Sequence, residues 1–135
     1  MKVKIDYPPN ILAIDAVFHT EGKTVFYCYG DTIYNPHSLS LPEFIRAHEL
    51  AHSIAQGKDP KGWWERYLVD PEFRYREELD GHHAELIFRL GVVKDRNQRV
   101  RILHATAARL SAPLYQHGKT WGQVHRDLET FVRKP

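Results

Sequence analysis

The run His48-Glu49-Leu50-Ala51-His52 holds the residues of this chain whose types and spacing best suit chemistry. Two histidines four residues apart lie on one face of a helix, one turn from each other, so both imidazoles can reach the same metal ion. Glu49 lies at the edge of that face, where it can act on a water molecule held by the metal without being a ligand itself. The pattern therefore predicts a zinc site with a carboxylate base, as in zinc hydrolases.

A catalytic zinc usually has three protein ligands and one open position, so one more ligand is expected after His52. The candidates lie on one predicted helix: Glu77, Glu78, Asp80, His82, His83 and Glu85. Leu79 and Leu86 mark the predicted core face of that helix. Glu78 flanks this face, whereas Glu77 points furthest from it. We therefore predict that Glu78, with His48 and His52, binds the metal.

Three other candidates on this helix have different predicted roles. His82, one turn beyond Glu78, either orients a ligand from behind or is a solvated or packed histidine, and both interpretations stay open. His83 falls on the core face and is predicted to pack there. Glu85 is predicted to be a solvated helix charge.

Local signals place the metal motif in the middle of a helix. Ser40-x-x-Glu43 has the form of a capping box, and Pro42 falls in the first turn. The helix is predicted to run to Gln56, with Gly57 as its C-terminal stop. A site in mid-helix is held rigidly.

The second half of the chain is predicted to be helical throughout. A polar loop over 57–62 leads to a short aromatic helix, predicted to serve core packing rather than substrate contact, with Trp63, Trp64, Tyr67 and Leu68. Asp70-Pro71 precedes a long helix over 72–90. A further helix is expected over 95–110, and Thr120-x-x-Gln123 is a capping box for a last helix that carries Trp121, Val124, Leu128 and Phe131.

The N-terminal part is predicted to hold the strands. Lys2 to Tyr7 alternates polar and apolar residues, and Pro8-Pro9 leads into a helix with an apolar side from Ile11 to Phe18. Thr24 to Tyr29 and Thr32 to Tyr34 are joined by two residues, Gly30 and Asp31, which predicts a tight hairpin. The expected fold class is α+β: one mostly helical, zincin-like domain over 1–135 with a small N-terminal sheet.

Composition excludes some classes of protein. The 135 residues suit one domain, and a formal net charge of +2 without a basic run does not indicate nucleic-acid binding. The single cysteine, Cys28, cannot form an internal disulfide and is predicted to be a small buried hydrophobe. No apolar segment resembles a signal sequence or is long enough to cross a bilayer. We expect a soluble, intracellular and cytoplasmic protein.

From Thr24 to Leu86 the chain resembles a known group. The H-E-L-A-H helix, followed some twenty-five residues later by a helix with Glu-x-x-Gly, resembles the gluzincin-type zinc peptidases. Within them it is similar to the small phage and bacterial peptidase-like proteins of the ImmA/IrrE group, on Tyr29 to Pro36, Trp63 to Leu68, Phe73-Arg74 and Glu77-Glu78-Leu79. The group often has alanine where this chain has Gly81. The resemblance implies two histidines and a glutamate as zinc ligands, and a phage-encoded origin.

These observations predict a zinc-dependent peptidase with Glu49 as general base and a peptide or protein as substrate. The alternative is a zinc-containing regulatory or protein-binding module that does not catalyse a reaction. The oxyanion of a peptidase needs a further donor, and His104, Tyr115 and His117 stay open as candidates. The resemblance implies an edge strand beside the site on which an extended peptide adds, and Thr32 to Asn35 is the predicted strand.

Overall fold

The computed structural model describes residues 1–133 and is α+β, with six α-helices and a three-stranded sheet in that range. The strands are β1 (Lys2–Lys4), β2 (Tyr27–Tyr29) and β3 (Thr32–Tyr34). The helices are α1 (Ile11–Phe18), α2 (Glu43–Gln56), α3 (Pro60–Val69), α4 (Pro71–Gly91), α5 (Arg96–Leu110) and α6 (Trp121–Arg133), with a 3-10 turn at Pro113–Tyr115. The predicted mostly helical fold with a small N-terminal sheet is confirmed.

The sheet has the order β1-β3-β2, so β3 is its central strand. β2 and β3 form the predicted antiparallel hairpin, with Tyr29 opposite Thr32. Gly30 has a φ of 63° at the first position of the two-residue turn, a conformation that glycine adopts readily. β1 pairs with β3 in parallel. The predicted first strand is shorter than expected, since pairing ends at Lys4.

Two predicted helix starts differ from those observed. Ser40 does not cap α2, because Pro42 is the N-cap residue and no side-chain capping bond is present there. α3 begins at Pro60, so the loop predicted over 57–62 was wrong at its end: Asp59 caps the helix by accepting a hydrogen bond from the Gly62 backbone N–H. Asp followed by Pro is the same start signal that begins α4.

The predicted starts of α4 and α6 are confirmed. Asp70 accepts hydrogen bonds from the backbone N–H groups of Glu72 and Phe73 at the start of α4. The Gln123 backbone N–H donates to the Thr120 hydroxyl at the start of α6, 3.2 Å away. These caps satisfy backbone donors that have no partner within the helix.

The buried apolar residues form two groups. The aromatic cluster comes from α1, β2 and α3, and consists of Ile14, Phe18, Tyr27, Trp63, Trp64 and Tyr67. The helical cluster comes from α4, α5 and α6, and consists of Tyr75, Leu86, Leu103, Ala107, Leu110, Val124 and Leu128. The aromatic helix packs in the core, as predicted, and its Trp63, Trp64 and Tyr67 also line a pocket, so the predicted preference for packing over substrate contact stays a prediction. Helix α2 packs most extensively against α4. That pairing brings the H-E-x-x-H motif against the second acidic helix.

Candidate metal centre

Three side chains from α2 and α4 meet in the interior. His48 and His52 lie one turn apart on α2, and Glu78 reaches them from α4. All three are buried, with exposed fractions of 4–7%. Their ligand atoms lie within 4.8 Å of one another, and such a set can hold a metal ion.

The distances in this group suit one small ion. His48 Nε2 lies 2.9 Å from His52 Nε2, 3.2 Å from Glu78 Oε1, and His52 Nε2 lies 3.1 Å from Glu78 Oε2. Tetrahedral ligands at the usual zinc bond lengths of about 2.0–2.1 Å are spaced about 3.3 Å apart. The three groups therefore have nearly the spacing that the ligands of one ion require.

One atom of the group lacks a partner. Glu78 Oε1 is buried and has no hydrogen bond within residues 1–133, although His48 Nε2 lies within ion-pair distance. The other oxygen, Oε2, accepts a hydrogen bond from the Tyr67 hydroxyl at 2.7 Å. Burial raises the pKa of Glu78, but His52 and His48 outweigh it and hold the pKa well below its usual value. A buried carboxylate oxygen without a donor suits a cation ligand, since leaving it unsatisfied is costly.

Glu77 takes a different direction from its neighbour. Its Oε1 accepts a hydrogen bond from the Trp63 indole N–H at 2.6 Å. The structure thus brings Glu78, and not Glu77, to the two histidines, as the helical phase predicts.

Glu49 is buried beside the two histidines but bonds to neither of them. Its exposed fraction is 7%, and its carboxylate has no hydrogen-bond partner within residues 1–133. Burial raises the pKa of Glu49, an effect that the nearby His48 and His52 reduce. A carboxylate with a raised pKa that faces an open pocket is suited to accept a proton.

The prediction that Glu85 is a solvated charge was wrong. Glu85 is 1% exposed, and its Oε1 lies 2.6 Å from His48 Nδ1. Its Oε2 accepts a hydrogen bond from the Arg109 guanidinium on α5. Burial raises the pKa of Glu85, but His48, His82 and Arg109 together lower it to about 2. An anionic Glu85 accepts the His48 Nδ1–H, which leaves the Nε2 lone pair free for a metal.

His82 and Glu85 form a second group with His48 whose spacing could also hold an ion. Both oxygens of Glu85 are engaged there, one by His48 and one by Arg109. His82 donates its Nδ1–H to the backbone carbonyl of Glu78 at 2.7 Å. Because the Arg109 guanidinium already contacts the Glu85 carboxylate, a further cation is disfavoured in this second group. His82 and Glu85 instead hydrogen-bond to residues of the first group. His82 is buried rather than solvated, and burial lowers its pKa to about 4. Its bond to the Glu78 backbone carbonyl fits both a positioning role and packing in the core, so these two interpretations stay open.

His83 and Gly81 occupy neighbouring positions on α4 with different consequences. His83 is half-buried and stacks on Phe131 with ring centroids 4.1 Å apart, so it packs at the margin of the core. A Cβ atom at Gly81 would lie 2.8 Å from His48 Nε2. Glycine at this position lets the His48 ring approach α4 closely.

Of the three oxyanion candidates, only Tyr115 lies at the site. It lines the same pocket as His48 and Glu49, and burial together with the surrounding carboxylates raises the pKa of its hydroxyl, which stays protonated. His117 uses both ring nitrogens elsewhere, on the Leu110 carbonyl and the Lys119 backbone N–H. His104 is exposed beside Trp121 and His125.

The predicted edge strand also needs correction. Thr32 to Asn35 contains β3, whose two sides are already paired by β1 and β2. A substrate peptide therefore cannot pair with β3 as an additional strand. The strand next to the site is β2, and the segment 25–28 lines the pocket that opens beside Glu49. The order of strands depends on β1 pairing with β3, which the hairpin signal does not contain.

Sequence reasoning missed Glu85, Arg109 and Gly81 as parts of the site. Glu85 lies seven residues after Glu78, on the same stripe of α4, and this spacing was an available signal. Arg109 carried no local signal, because its contact with Glu85 joins α5 to α4.

Comparison with known proteins finds no family model, curated protein or solved structure that matches this chain. The function of the site is therefore inferred from its residues and geometry. Within the described part of the chain, no helix has the length and apolar character needed to cross a membrane.

Proposed function

We propose that this chain is a zinc-dependent peptidase. The observation that carries the proposal is the convergence of His48 Nε2, His52 Nε2 and Glu78 on one position, with the unpartnered carboxylate of Glu49 beside it at an open pocket. The unsatisfied Glu78 Oε1 supports a cation at that position. Nitrogen and carboxylate ligands in a two-histidine, one-glutamate set favour zinc among the common metals.

The residues have distinct roles in this proposal. A bound zinc ion supplies Lewis-acid chemistry, which lowers the pKa of a water molecule and polarises a peptide carbonyl. With an ion held by His48, His52 and Glu78, Glu49 would be placed to accept a proton from the attacking water and to return it to the leaving amine. Tyr115 donates a hydrogen bond to the carbonyl oxygen as negative charge develops on it.

The substrate main chain is proposed to lie along the segment before β2. The backbone N–H and C=O of Phe26 make no hydrogen bond within residues 1–133, whereas the Cys28 carbonyl already accepts from Gln56 and Trp64. An extended peptide can therefore form backbone hydrogen bonds with Phe26, but it cannot continue this pairing past Cys28. Cys28 itself is buried, as predicted, and burial raises the pKa of its thiol, so it takes no part as a nucleophile.

The test compares wild-type protein with Glu49→Gln. Protein purified without a metal-binding tag should contain about one zinc per chain by elemental analysis. Wild type should cleave members of a peptide library, and Glu49→Gln should keep its zinc but lose about 10²–10⁴-fold in rate, because glutamine cannot accept the water proton. Glu43→Gln, at the exposed start of the same helix, is the matched control and should cleave like wild type.

Two results would contradict the proposal. Protein that neither contains zinc nor takes it up at micromolar concentration would remove the metal site. Protein that binds zinc but cleaves no peptide or candidate protein would favour the alternative, a zinc-containing binding module.

A further inference from the structure

A pocket opens beside Glu49 and His52, between α1, the segment 25–28, α2 and α3. Its wall on one side is the metal site itself. The remaining walls are mostly apolar and include Ile14, Phe18, Val25, Trp63, Tyr67 and Leu114. A group bound at the metal site therefore has an apolar cavity next to it.

Away from the metal site, the polar side chains of Thr20 and Tyr27 in this pocket are already hydrogen-bonded. The Tyr27 hydroxyl donates to Thr20 Oγ1 at 3.0 Å, and the Thr20 hydroxyl donates in turn to Asp15. No lysine or arginine occurs among the described residues that line the pocket, and its carboxylates are Glu49 and Glu78 of the site. In the proposed function both carboxylates are engaged at the metal site, so a charged side chain entering the apolar part of the pocket would be buried without a free partner, which is strongly unfavourable.

We propose that this pocket binds a large apolar or aromatic side chain next to the bond that is cleaved. The inference rests on the proposed function and specifies its substrate class: peptides or exposed protein segments with a bulky apolar residue at the cleavage position. Aromatic rings line the pocket, and the Trp63 and Tyr67 rings stack with centroids 4.8 Å apart, so their arrangement is fixed before a ligand enters. Rings in fixed positions favour edge or stacked contacts with a further aromatic group.

The test uses two probes that share the same metal-binding group. Phenylalanine hydroxamate and alanine hydroxamate differ by one phenyl ring, and their affinities for zinc-loaded protein are measured by titration calorimetry. The phenyl compound should bind roughly ten- to a hundredfold more tightly, as expected for burial of one aromatic side chain.

A matched pair of variants on α1 then locates the effect. Ile14→Trp fills the pocket from a position that is 2% exposed and should abolish the preference for the phenyl compound. Leu12→Trp, at a position that is 85% exposed, should retain it. Val25→Trp fills the pocket from a half-buried position outside the helices and is the second variant if Ile14→Trp does not fold. Zinc content should stay unchanged in all folded variants, and Leu12→Trp should also keep the wild-type affinity for alanine hydroxamate.

The outcomes separate the inference from the proposed function. Equal affinity of the two hydroxamates for wild type would overturn the pocket inference and leave the metal site standing. Failure of both to bind zinc-loaded protein would mean that the bound zinc has no open coordination position, which would overturn the proposed function and the inference with it. A preference that persists in the folded, zinc-containing pocket variants would show that the phenyl ring binds elsewhere and would also overturn the inference.

Discussion

The helical cluster and the aromatic cluster have different roles in this molecule. In the helical cluster Leu86, Ala107, Leu110, Val124 and Leu128 are all 0% exposed, and none of its members lines the pocket. The other two members of that cluster, Tyr75 and Leu103, are 4% and 9% exposed. The aromatic cluster has no member at 0%, with exposed fractions of 2–8%, and all of its members line the pocket beside Glu49. The opening beside Glu49 is thus bordered by the aromatic cluster and not by the helical one.

This difference indicates a division between scaffold and recognition. Helices α5 and α6 cover one part of α4 and hold it in place, while α1, β2 and α3 surround the opening to the site. Stability and metal binding should therefore respond to different substitutions.

The largest effect is expected from Leu128→Ala in the helical cluster. It should lower the free energy of unfolding of the metal-free protein by about 2–5 kcal/mol, because a fully buried leucine leaves a cavity. Urea denaturation measures this change. Leu12→Ala, at an exposed position, is the control and should stay within about 0.5 kcal/mol of wild type. Zinc affinity should not change in either variant. A tenfold loss of zinc affinity in Leu128→Ala would contradict the division between scaffold and recognition.

Glu78→Gln should have the reverse effect, on metal binding rather than on the scaffold. Zinc affinity should fall at least tenfold, because residues behind a ligand already contribute roughly 10–100-fold when removed. Glu77→Gln should leave affinity nearly unchanged, since its carboxylate bonds to Trp63. Competition with a chelator of known affinity measures both variants. If Glu77→Gln proved the more damaging, the ligand would be Glu77.

Gly81→Ala should weaken zinc binding by about tenfold, although alanine favours helix formation at this position. The added Cβ would lie 2.8 Å from His48 Nε2, so the imidazole must move away from its position. Alanine stabilises a helix interior by about 1 kcal/mol relative to glycine, so unfolding cannot account for a loss of zinc. Gly91→Ala, where nothing lies within 4 Å of the added atom, is the control on the same helix. Unchanged zinc affinity in Gly81→Ala would mean that His48 does not need this close approach.

The smallest effect concerns the contact that joins the scaffold to the site. Arg109→Gln should lower zinc affinity about two- to fivefold, because a partly exposed ion pair contributes about 0.2–1 kcal/mol. Arg109 acts through Glu85, which holds His48 Nδ1. Arg89→Gln is the matched control, since Arg89 also lies over the Phe44 ring and should not affect zinc. Equal losses in the two variants would assign the effect to packing on Phe44 instead of to Glu85.

Features decided by neighbouring residues could be predicted from the sequence. The one-turn spacing of His48 and His52 follows from helical geometry alone, as does the choice of Glu78 over Glu77 as the residue that faces them. The hairpin and the caps at Asp70 and Thr120 likewise depend on residues within a few positions.

Features decided by distant residues required the tertiary structure. Glu85 has the local pattern of a solvated helix charge, and only the packing of α5 places Arg109 where it can neutralise that carboxylate in the interior. The central position of β3 results from its pairing with β1, some thirty residues earlier. The pocket beside Glu49 exists because α1, the segment 25–28, α2, α3, α4 and the 3-10 turn meet around it. Local periodicity specifies which face of a helix is apolar, but the partner of that face is chosen by the packing of the whole chain.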